Sequence, residues 1–332
     1  MRRLLRRFAR QTPTEDMASP NPPPAPQSSA LPYTPGTNTT ELCKAASEGD
    51  FQAAQRILNA GTPVGSEDTE GWTPLLRAVQ QGHEQIVRLL LSRGADVSQT
   101  SSSGRHPLHV AVVACDTEMA RILLDHGAAI ESAPFGATPL HFAVSTGPED
   151  LVKLLLERGA DPKAKFRAES GRGDTVLHIA VWSWKDELLP LLLATGVDVN
   201  SQGANPAGQT PLHVAAWYGY EDAARTLLDA GADISVRYDD GRTALHVAAE
   251  HGQVGMIKLL LERRADVMAT TPHGETALCM AASHGKKGAV SVLLDQSLDD
   301  LDGRPEGDGY DIRCQGGKFG GCDAAGGERL LG

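Results

Sequence analysis

The sequence predicts an all-α protein assembled from repeated helix–turn–helix units, and three regularities predict it. The first is a phrase, Thr210-Pro211-Leu212-His213-Val214-Ala215-Ala216, with near-copies that begin at Thr73, His106, Thr138, Thr175, Thr243 and Thr276. Successive starts are 33, 32, 37, 35, 33 and 33 residues apart. The second is an apolar run of helical spacing after each phrase, such as Ile86-Val87-Arg88-Leu89-Leu90-Leu91 or Met256-Ile257-Lys258-Leu259-Leu260-Leu261. The third is the glycine that usually ends that run: Gly94, Gly127, Gly159, Gly196 and Gly231.

Each piece of the unit has a physical reason. Threonine suits an N-cap, because its side-chain oxygen accepts one of the amide protons that the first helical turn leaves over. Proline suits the next position, where its missing N–H costs nothing. A short inner helix, a turn and a longer outer helix follow. The closing glycine reaches a left-handed cap without a Cβ clash. An eighth, degenerate unit precedes the others, in Glu41-Leu42-Cys43-Lys44-Ala45-Ala46 and Ala54-Gln55-Arg56-Ile57-Leu58.

A period near 33 carrying T-P-L-H-x-A resembles the ankyrin repeat family, here over residues 41–297. The resemblance implies an all-α ankyrin-repeat solenoid of about eight units with finger loops. Each unit would bury its leucine face only against its neighbours. It further implies that the motif histidines (His109, His141, His178, His213, His246) are structural and bond backbone across the repeat interface.

Composition bounds the rest. The net charge is −11, from 31 basic and 42 acidic residues, which argues against a nucleic-acid partner. No run of 18 apolar residues occurs, so no membrane span is expected. Five cysteines lack both metal spacing and the density of a disulfide framework; Cys43, Cys115 and Cys279 are expected to be small buried residues. A cytoplasmic or nuclear monomer is the corresponding expectation.

The ends differ from the repeats. Residues 1–11 form a basic tip in which Arg2, Arg3, Arg6, Arg7 and Arg10 face away from Met1, Leu4, Leu5 and Phe8 on a helical wheel. This suits a mitochondrial presequence or a weak membrane contact, beside the plain reading of a frayed tail. Residues 12–40 carry eight prolines and read as a disordered linker. Residues 298–332 hold ten glycines, scattered acids and no apolar period, so they read as a disordered acidic tail.

Three places break the repeat. The step from Thr138 to Thr175 is long, and the excess lies in a basic finger, Lys165 to Gly173. The unit after it has Trp184 where its neighbours have Gly147 and Gly219, and Pro190 within its outer helix, which predicts a shifted helix start. Arg264 occupies the slot of the closing glycines and is expected in the left-handed region.

No catalytic constellation emerges. There is no H-E-x-x-H, no G-x-S-x-G, no phosphate loop and no metal-ligand spacing. No enzyme activity, cofactor or metal is expected. Binding remains, so a non-enzymatic protein–protein scaffold is the first reading. A membrane-associated or mitochondrially imported protein addressed by residues 1–11 is the alternative, as is a regulatory subunit of an enzyme complex.

In an ankyrin array the resemblance places finger tips and inner-helix faces on one concave groove. The groove column of this chain reads Ser47, Gln80, Val113, Ser145, Trp182, Trp217, Glu250, Ser283. Trp182 and Trp217 sit in consecutive units, with Tyr218 after the second and Phe166 and Arg172 in the long finger. These five are the expected contacts of an unidentified protein partner, since tryptophan, tyrosine and arginine carry much interface energy. Asn200 is the asparagine of its loop column, in a V-N step similar to those hydroxylated in some ankyrin proteins. It is a candidate modification site beside the plain reading of a turn residue.

Overall fold

In the computed structural model Thr73, Thr138, Thr175, Thr210, Thr243 and Thr276 cap inner helices as the motif demands, while His106 holds the same place without a cap bond. The structure describes residues 37–302 apart from 134–135, 168–172 and 204–207. Two compact bodies divide at Phe166–Arg167.

The first body holds four helix pairs: α1 Thr37–Glu48 with α2 Phe51–Asn59, α3 Pro74–Gln80 with α4 Glu84–Ser92, α5 Pro107–Val113 with α6 Thr117–Asp125, and α7 Pro139–Thr146 with α8 Glu149–Glu157. The second holds α9 Val176–Trp182 with α10 Leu189–Ala194, α11 Pro211–Tyr218 with α12 Glu221–Asp229, α13 Ala244–His251 with α14 Val254–Glu262, and α15 Ala277–Ser283 with α16 Lys287–Asp302. Two short strands, β1 Phe166–Arg167 and β2 Gly173–Asp174, belong to the long finger. The first helix begins four residues before Glu41, and the last runs to Asp302, into the stretch read as a tail. The basic tip with Arg2, Arg3, Arg6, Arg7 and Arg10 lies outside the described residues.

The motif histidine explains why the units hold together. In the helices α7, α9, α11 and α13 the cap is a reciprocal box, with histidine in the place of the usual Glu or Gln. The N–H of Thr138 donates to Nδ1 of His141 at 3.0 Å, and Thr175, Thr210 and Thr243 repeat the arrangement. The other ring nitrogen reaches the following loop, His141 to the Ala164 carbonyl, His178 to Gln209 and His246 to Glu275, at 2.9 to 3.1 Å; His109, which has no box, reaches the Ala137 carbonyl at 3.4 Å. A nitrogen that meets a carbonyl must carry the proton, and one that meets an amide N–H must not. His141, His178 and His246 make both bonds and are thereby fixed as one neutral tautomer, whereas Nε2 of His213 is buried without a partner, against the expectation of a bond across the repeat interface. Burial pushes the pKa of His109, His141 and His213 down to about 4.

Between units, an aspartate turn recurs. Asp96, Asp161, Asp198, Asp233 and Asp266 each accept the N–H two residues on at 2.8 or 2.9 Å. The core is the stripe of leucine, isoleucine, valine and alanine from both helices of each unit, including Leu90, Leu123, Leu155, Leu192, Leu227 and Leu260.

The glycines fall into two columns of different character. Those that close outer helices (Gly61, Gly94, Gly127, Gly159, Gly196, Gly231) have φ between 74° and 90°, and an added Cβ would meet nothing within 4 Å. Arg264 stands in this column at φ 65°, as expected. Only backbone conformation opposes a side chain there. The column between inner and outer helices is tight in places: a Cβ on Gly219 would lie 2.5 Å from the Gln253 side chain, and one on Gly49 2.8 Å from the His83 ring, while Gly285 has open space. Gly147 alone in that column is extended, at φ −79° and ψ 166°, because Pro148 follows it.

Candidate interaction surface

The second column is where the unit of α9 departs from its sisters. Ser183 caps α9, and Trp184 then takes φ 60° in the slot that Gly219, Gly252 and Gly285 hold in the later units. Pro190 has no N–H to give to the carbonyl one turn back, so the outer helix cannot start where its sisters start. A 3-10 turn, Asp186–Leu188, fills the gap, and α10 begins at Leu189 with only 6 residues.

In two other units the residue after this slot stitches one repeat to the previous one. His83 meets the Ser47 carbonyl at 3.0 Å, and the side-chain amide of Gln253 donates to the Trp217 carbonyl at 3.2 Å. Above Trp184 that residue is Tyr220. Its ring lies on the indole with centroids 4.4 Å apart, and Tyr218 stacks on Tyr220 at 5.1 Å and 9°. Trp184 is 64% exposed and Tyr218 39%. The three rings form a ladder at the end of the unit where inner helices turn into outer ones.

The residues expected from the sequence are distributed as follows. Trp182 and Trp217 are half-buried. Trp182 tilts against His178 one turn back in its own helix, at 6.1 Å, and Trp217 lies on His251 of α13 at 4.1 Å. Tyr218 joins the ladder with Tyr220 and Trp184. Phe166 is corrected: it is only 7% exposed and packs its edge toward His141 at 6.2 Å, so it is part of the first body's core and not a contact. Arg172 lies outside the described residues. Cys115 is a second correction, being exposed and held at φ 58° in the turn column, while Cys43 and Cys279 are buried. Asn200 accepts the Asp233 N–H through its amide oxygen at 2.8 Å, as Glu131 accepts that of Asp161 at 2.7 Å.

The residue that sequence reasoning missed is Trp184. Its place in a glycine column is visible in the sequence, but the register does not show that its ring turns outward. Among the described residues, no group of three histidine, cysteine or acidic side chains is placed to hold a metal. None of the described helices is long and apolar enough to cross a membrane.

The family model for ankyrin repeats, three copies long, matches residues 29–101, 98–166, 163–238 and 231–304. The chain belongs to the ankyrin repeat family. No curated protein sequence matches it. Among solved structures it is similar to the ankyrin repeat domain of Bcl-3, a unique member of the IκB protein family, with 32% identity and a TM-score of 0.60 over 67% of this chain and 98% of that one. It is also similar to the human ASB11 ankyrin repeat domain, with 26% identity and a TM-score of 0.57 over 68% of this chain and 98% of that one. Ankyrin repeats are generally protein–protein interaction modules.

Proposed function

We propose that this ankyrin protein is a non-enzymatic scaffold of the cytoplasm or nucleus whose second body presents Trp184 and Tyr218 to a partner protein, with Trp182 and Trp217 beside them. One observation carries the reading: a tryptophan 64% exposed at φ 60°, where the other units have glycine at six positions and cysteine at one. A side chain in that region costs about 1 kcal/mol per residue, and an exposed indole adds nothing to the core. Residues that break the local rule tend to gather at functional sites. Aromatic side chains of this kind supply much of the energy of protein interfaces.

The test is affinity capture from cells that express the full chain. Wild type, Trp184→Gly and a Trp182→Ala/Trp217→Ala double variant are compared by quantitative mass spectrometry. The expected result is a set of partners lost from Trp184→Gly and reduced in the double variant. Identical captured sets for all three would remove this surface from the function.

A further inference from the structure

The ladder of rings is set among acids. Trp184 is followed by Lys185, Asp186 and Glu187, and Tyr220 by Glu221 and Asp222. These four acids occupy the first turns of consecutive outer segments, with Lys185 as the one cation in the same stretches. Lys185 is already committed to Glu187, at 3.6 Å.

Acids at helix starts are ordinary, because the dipole there favours negative charge. Here the arrangement exceeds that need. Burial, and after it the charges of Glu187 and Asp222, hold the Asp186 carboxyl above its usual range. One of its oxygens, Oδ1, is buried without a hydrogen-bond partner. Asp186 thus feels the negative charge of Glu187 in its own unit and of Asp222 in the next, beside exposed aromatic faces. Lys185 is the one cation set against these four acids, so the surface carries net negative charge.

On this basis we infer that the occupant of the Trp184–Tyr220–Tyr218 ladder is a cationic segment of a partner protein, with arginines set between apolar residues. The inference rests on the proposed function and names the chemistry of its partner. A guanidinium stacks on tryptophan and tyrosine faces and pairs with carboxylates at the same time. The apolar residues of such a segment would cover the rest of the indole. The same acids oppose an anionic lipid surface or a nucleic acid, both of which would bring like charge.

The test uses the full chain and synthetic peptides in calorimetry. Three probes are compared: alternating arginine and leucine, the same length of alternating glutamate and leucine, and alternating serine and leucine. The arginine peptide is expected to bind saturably, at least tenfold more tightly than the serine peptide, with no binding of the glutamate peptide. Its affinity should fall as salt is raised, since the charges lie at the surface. Trp184→Gly, and separately a triple Asp186→Asn/Glu187→Gln/Asp222→Asn variant, should each weaken it at least tenfold.

Equal binding of the arginine and serine peptides, salt-independent binding, or no saturable heat on wild type would overturn the inference. The peptide comparison on wild type needs no variant to fold. If the arginine peptide fails while Trp184→Gly still loses captured partners, the interaction surface stands and its cationic partner falls.

Discussion

Trp184 and Tyr220 meet ring to ring at 4.4 Å in the place where sister repeats join through a side chain and a backbone carbonyl. A polar stitch has become an aromatic one. The directional bond from Gln253 to the Trp217 carbonyl fixes one unit on the next, while a ring contact leaves its outer face available. The substitution therefore changes what the repeat offers to solvent and leaves the stacking of helices in place.

The two contributions at Trp184 can be separated by mutation. Trp184→Ala keeps the left-handed backbone and loses the contact with Tyr220, worth about 0.5–1.5 kcal/mol. Trp184→Gly loses the same contact and relieves the backbone. We expect the glycine variant to be the more stable of the two by about 1 kcal/mol, measured by urea unfolding. Equal stabilities would mean that φ 60° is not costly at this turn.

Much of the fold was legible in the sequence because the repeat states it several times over. A T-x-L-H phrase in register with a leucine run fixes helix starts, turns and the buried face without long-range information. Arg264 and Pro190 were legible for the same reason, since a register shows what a position ought to hold. The surface was harder to read. Phe166 lies in a finger longer than its sisters, so no register told which way its ring turns, and it turned toward His141. Cysteine just after an inner helix suits a small buried residue, but Cys115 falls in the turn column and is exposed. Trp184 shows the same column in its other use.

Arg264 tests the outer-helix column in isolation. Its sister glycines have open space where a Cβ would go, so no side-chain clash accompanies the backbone cost. Arg264→Gly should stabilise the second body by about 1 kcal/mol. Thermal melts that show a loss instead would reveal a favourable contact of the guanidinium.

At Asn200 the amide oxygen joins one loop to the next through the Asp233 N–H. Asn200→Ala should cost about 1 kcal/mol. Asn200→Asp should cost much less, because Glu131 serves the equivalent N–H of Asp161 with a carboxylate. Equal losses in the two variants would show that the bond contributes nothing. Hydroxylation of Asn200 remains a separate proposal. Peptide mass spectrometry reads it as a gain of one oxygen atom, and no such species in cells rich in an asparaginyl oxygenase removes it.

The buried histidines make stability depend on pH in a defined direction. In the unfolded chain a histidine titrates near 6.5, while in the fold burial pushes His109, His141 and His213 down to about 4. Between these values the unfolded state holds the extra proton, so stability falls as pH falls and is fully present only above about 6.5. By linkage each such histidine removes about 2 kcal/mol between pH 7 and pH 5. Carboxylates with lowered pKa, such as Asp68 and Asp240, act only below their ordinary value of 3.8, outside this window. His141→Gln isolates one contribution. Glutamine can still accept the Thr138 N–H as in an ordinary capping box, but it has no proton to gain. The variant should be less stable than wild type at pH 7, where the bond to Ala164 is lost, and the gap should close or reverse by pH 5. Urea midpoints at the two pH values decide it: an unchanged gap would mean that His141 takes up its proton as readily in the folded protein as in the unfolded one.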